Sequence, residues 1–113
     1  MNARITSDML VGALRRSAEA AGGGAMVLSH GDAISGAVIV AWAPRGDTQA
    51  MFERGLGPDD RYIWRATGPE AGSGASDYAE YLEKRRRFDP DIWVVEIEGI
   101  EDPDWLQQMV GID

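Results

Sequence analysis

The chain has no cysteine, one histidine and one lysine among its 113 residues. The missing cysteines exclude disulfides, thiolate metal ligands and a cysteine nucleophile, and they fit a reducing compartment. The single histidine, His30, excludes a two-histidine metal site. No leader pattern of charged, then apolar, then small residues opens the chain. The longest apolar run, Ala37 to Ala43, falls far short of the roughly 20 residues that cross a bilayer. The expectation is a cytoplasmic protein with no membrane attachment. Positive charge is missing from one region: residues 1–88 hold all 11 bases and 11 acids, whereas 89–113 hold 8 acids and no base. The net charge of −8 therefore sits wholly in the last quarter of the chain. A duplex nucleic-acid binder needs a positive footprint, and this balance opposes one.

What is present is ordinary for one globular domain covering 1–113: 44% apolar and 27% charged residues. A first helix is predicted over 7–21. Leu10, Leu14 and Ala18 recur every four residues, Thr6, Ser7 and Asp8 offer capping oxygens, and Gly22-Gly23-Gly24 stops the helix. Strands are predicted at 25–29, 36–42, 48–54 and 61–67. The second of these is apolar at nearly every position, as in a central strand covered on both faces. A small, glycine-rich stretch at 68–76 reads as a flexible loop. A second helix follows over 77–88, with Asp77 and Glu80 at capping-box spacing and Lys84, Arg85, Arg86 and Arg87 in its last turn. Pro90 ends it. The last strand, 92–98, places Trp93, Val95 and Ile97 on one face and Ile92, Val94, Glu96 and Glu98 on the other. Pro103 opens a short final helix, with Trp105, Leu106 and Met109 packing back. The order α-β-β-β-β-α-β predicts an α+β domain. Three hairpin links and one helical crossover imply an antiparallel or mixed sheet with the helices on one face.

No catalytic set stands out. His30 lies at a strand end beside Gly31-Asp32 and reads as a surface turn residue. Ser29 cannot pair with it, because adjacent strand side chains point to opposite faces. The glycine triplet ends a helix rather than opening one, so it is no phosphate cradle. Arg45-Gly46-Asp47 reads as a turn. Two charged runs carry chemistry. Arg85, Arg86 and Arg87 with Asp89 and Asp91 form a candidate partner-binding patch, and the Lys84–Arg87 cluster is an alternative site for an anionic ligand or nucleic acid. Asp89, Asp91, Glu96 and Glu98 offer the hard oxygen ligands that Mg²⁺ takes in metal-dependent hydrolases and nucleases. Four tryptophans (42, 64, 93, 105) are expected mainly in the core.

Several segments together resemble a known family: Val11-Gly12-Ala13-Leu14-Arg15-Arg16, Gly31-Asp32 followed by Gly36-Ala37-Val38, and above all Arg86-Arg87-Phe88-Asp89-Pro90-Asp91-Ile92-Trp93-Val94-Val95-Glu96-Ile97-Glu98. They resemble small bacterial proteins grouped as a domain of unknown function, family 1491. The resemblance implies a bacterial origin and a single domain, and it implies no activity. In such proteins the position of His30 is more often basic and Arg-like, which counts further against a catalytic His30. The resulting expectation is a non-catalytic interaction or adaptor domain without a cofactor, binding a protein partner or a second copy of itself. The alternatives are a metal-dependent hydrolase or nuclease using Asp89, Asp91, Glu96 and Glu98, and binding of an anionic ligand or nucleic acid by the Lys84–Arg87 cluster.

Overall fold

The structure, a computed structural model, describes residues 5–108. Its elements are α1 (Ser7–Ala20), β1 (Gly24–Ser29), β2 (Val38–Ala43), β3 (Ala50–Leu56), β4 (Tyr62–Thr67), α2 (Ala75–Phe88), β5 (Trp93–Glu98) and α3 (Asp104–Gln108). This is the expected α+β order, with the short helix after Pro103. Met109, expected to pack back, lies outside the described residues.

The strands form one mixed sheet in the order β1-β5-β2-β3-β4. β5 enters between β1 and β2, antiparallel to the first and parallel to the second. The predicted hairpin between the first two strands is therefore absent, and hairpin pairing remains at β2-β3 and β3-β4. Hydrophobicity accounts for the insertion. β2 is buried at every position and β5 at four of six, so both belong in the middle of the sheet.

The expectation that the helices share one face is corrected by the packing. Val38, Val40, Trp42, Trp93, Val95 and Ile97 meet Leu10, Val11 and Leu14 of α1 and Leu106 of α3 on one side. Ile39, Ala41, Met51 and Val94 meet Tyr78 and Leu82 of α2 on the other. Two central strands that are apolar on both faces need cover on both, and helices on a single side would leave one face wet.

The first turn of α1 is capped by tertiary contact rather than by its own side chains. The Ser7 and Asp8 amides donate to the carbonyls of Ile34 and Ala33, and the buried Ser7 hydroxyl donates to Gly36 O at 2.6 Å. Thr6 bonds the Asp8 carboxylate instead of a helix amide. α2 begins two residues before its predicted start, with Gly74 as N-cap and no capping box.

The loop between β1 and β2 is a clamp on the chain leading into β5. Asp32 N donates to Asp91 O (2.9 Å), Trp93 N to Ala37 O (2.7 Å) and Trp93 Nε1 to Asp32 O (2.7 Å). The Asp32 carboxylate accepts from the Ile34 and Ser35 amides, and those bonds hold its pKa below the ordinary value. Gly31 and Gly36 both run against the Asp91 carbonyl where a Cβ has no room. Two of the segments that carry the family resemblance thus meet each other, and what they build is a strand junction.

Candidate functional site

The carboxylates singled out as metal ligands do not converge. Asp89 and Asp91 lie in the turn before β5, while Glu96 and Glu98 lie at its far end. Trp93 to Glu98 alone spans roughly 16 Å at a strand's ~3.3 Å per residue. The Asp89 carboxylate accepts from Asp91 N, closing the turn after α2. Among the described residues no group of three or more His, Cys, Asp or Glu side chains could hold a metal ion.

The basic cluster is likewise divided. Arg85 points inward, where its guanidinium clasps both Glu53 oxygens (2.8 and 3.1 Å) and reaches Tyr81 Oη at 2.7 Å, and Tyr81 in turn bonds Thr67. The Glu53 bonds chiefly raise the Arg85 pKa above its ordinary value. This network fastens α2 to β3 and β4. Arg87 pairs with Glu83 on its own helix at 3.2 Å, and Lys84 and Arg86 are exposed. His30 is exposed too, with its ring 4.1 Å from that of Trp93.

A different surface emerges from the sheet register. On the α2 side, one row of directly paired residues runs Met26, Glu96, Ala41, Met51, Thr67 from β1 to β4. α2 covers the second half of this row: Ala41 and Met51 are 1% exposed. The first half is open. Met26 is 51% exposed and Leu28, two residues on, is 42% exposed. Between this half-face and α2 runs a groove of about 470 Å³, lined by Leu28, Met51, Ala75, Ala79, Leu82 and Glu96, among others. Asp47 also lines it, and among the described residues no Lys, Arg or His does.

Glu96 is the unusual member. It is half-buried on an otherwise apolar floor, and burial first, then the neighbouring Glu98, holds its carboxyl above the ordinary value. A carboxyl whose pKa is raised in the folded state adds stability below its unfolded pKa and loses it as pH rises through the folded pKa. Glu96→Gln is therefore expected to melt higher than wild type at pH 7, by under about 5 °C for a partly solvated group. The difference should close towards pH 4. Thermal melts followed by circular dichroism at the two pH values check this, and equal melting at pH 7 would refute it. Sequence reading put Glu96 and Glu98 on the same side, and the register confirms it. It missed Met26 and Leu28, whose polar-apolar alternation is hidden because both faces of β1 are apolar.

A comparison with family profiles matches residues 5–107 to a protein of unknown function, DUF1491. The chain belongs to the DUF1491 family. No curated protein matches it. Among solved structures, this DUF1491 chain is similar to the crystal structure of a family member from Caulobacter crescentus CB15, at 38% identity and a TM-score of 0.73, covering 84% of this chain and 88% of that one. It is also similar to an NMR structure of a DUF1491 protein from the same organism (36% identity, TM-score 0.74, 93% and 94% covered). A solution structure from A. tumefaciens matches at 34% identity and a TM-score of 0.68, with 93% and 94% covered. No helix among the described residues of this DUF1491 protein is long and apolar enough to cross a membrane.

Proposed function

We propose that this DUF1491 protein is a non-catalytic protein-interaction module whose partner sits on the open half-face over β1 and β5. The observation that carries this reading is the pair Met26 and Leu28, exposed two residues apart on β1, with Leu28 also lining the groove beside α2. Single exposed apolar residues are common on proteins; two together beside a groove mark a contact surface. Neither gains anything for the isolated fold by facing water. A buried apolar anchor in such a patch carries much of a complex's affinity.

Native mass spectrometry of the tagged protein, gently purified from its own cells, tests the reading. Wild type is expected to retain a partner protein. Leu28→Asp is expected to lose it at least about tenfold, the effect of some 1.4 kcal/mol at an interface anchor. Arg61→Glu, just before the far edge strand β4, should retain it, and circular dichroism should show both variants folded. A wild type of bare mass, or equal retention by Leu28→Asp, would sink the proposal.

A further inference from the structure

We infer that the occupant of the groove is a basic amphipathic helix of a partner protein, lying beside α2 over β1 and β5. The inference rests on the interaction reading and adds the chemistry of what binds.

Geometry argues for a helix. Five strands about 4.8 Å apart span roughly 19 Å between the outer strand axes, room for two helices of about 10 Å each. On one side α1 and α3 both pack on the sheet. On the other, α2 packs on β2, β3 and Val94 of β5, and beyond it the face carrying Met26 and Glu96 has no helix over it among the described residues. The flank of α2 facing that space presents Ala75 and Ala79, small residues that let a second helix approach closely. A strand added to the free edge of β1 would lie two strand spacings from β5, about 10 Å from Glu96. It would leave the groove empty.

Charge decides the sign of the occupant. Glu96 and Asp47 line the groove, Glu98 stands on the same side of β5, and among the described residues no base lines it. Glu96 lies in the paired row between Met26 of β1 and Ala41 of β2, where neither neighbour offers it a cation. A lysine or arginine from the occupant would supply the counter-charge that the half-buried carboxylate lacks on this floor. Apolar residues at helical spacing on the same segment would cover Met26 and Leu28.

The test replaces Leu28 with the photo-crosslinking residue benzoylphenylalanine in producing cells, with Met9 on α1, 59% exposed, as a control position. Crosslinked peptides are then sequenced. The expected result is an adduct at position 28 and none at position 9, joined to a peptide with apolar residues three and four apart flanked by Lys or Arg. Adduct yield should fall about tenfold or more in Glu96→Lys/Glu98→Lys, from like-charge repulsion, with the fold checked by circular dichroism. Glu96→Gln/Glu98→Gln should fall in the same direction by less. An adduct to a neutral or acidic peptide, to another copy of this chain, or one unaffected by charge reversal would overturn the basic-helix inference and leave the interaction reading standing. No adduct at position 28 would overturn both.

Discussion

Gly31→Ala is expected to lose about 3 kcal/mol or more of stability, through backbone collision rather than lost contact. A Cβ there would meet the carbonyl oxygen of Asp91, Trp93 Cδ1 at 2.6 Å and Ile92 C at 2.7 Å. Two of those atoms are backbone and cannot rotate away. To relieve the clash, the loop must lift off the chain entering β5. That movement strains the Asp32 N–Asp91 O bond, and it also disturbs the Ile34 and Ala33 carbonyls that cap α1. One methyl group therefore reaches a helix cap and a central strand together. In a thermal melt the midpoint should fall by roughly 15 °C, at about 4–8 °C per kcal/mol for a domain near this size. A fall of under 3 °C would mean that the loop gives way easily and that the glycine is not sterically required.

Trp93→Ala is expected to lose about 3–5 kcal/mol, the usual cost of emptying a large aromatic site in a core. Trp93 is 2% exposed and packs with the α1-side core, its indole N–H donates to Asp32 O, and the His30 ring covers part of it. Trp93→Phe separates these roles. Phenylalanine keeps most of the packing and removes the donor, leaving Asp32 O with only the longer bond from Gly36 N at 3.3 Å. It should cost about 1–2 kcal/mol, less than Trp93→Ala. Urea denaturation of the two variants gives both numbers. If Phe costs as much as Ala, the hydrogen bond, and not the packing, holds the β5 junction. If Ala costs under about 1 kcal/mol, the junction contributes little.

Both variants test the same conclusion about the family-like segments. Gly31-Asp32, Gly36 and Asp89 to Trp93 look like a chemical signature when read along the chain. In space they fit backbone to backbone: Asp32 N and both glycines converge on Asp91 O. Their chemistry is spent on joining a loop to a strand. The strongest motif therefore points to the fold, and the candidate binding surface lies elsewhere, at residues with no motif at all.

Local pattern determined a good deal by itself. The four-residue recurrence of Leu10, Leu14 and Ala18 specifies the buried stripe of α1, because helical side chains three and four apart share a face. Alternation in Trp93–Glu98 specifies which residues of β5 face together, since strand side chains alternate strictly. Apolar character on both faces of residues 38–43 specifies a central strand. What tertiary structure alone decided is which partner each of these faces meets. β5 could have paired at an edge or in the middle, and α2 could have packed on either face; burial of two doubly apolar strands selected one arrangement from those open to the same pattern. The Arg85-Glu53 clasp, the tertiary cap on α1 and the open row of Met26 beside Glu96 join residues that lie 25 to 70 positions apart. No local rule links such residues, because their proximity exists only once the sheet has closed.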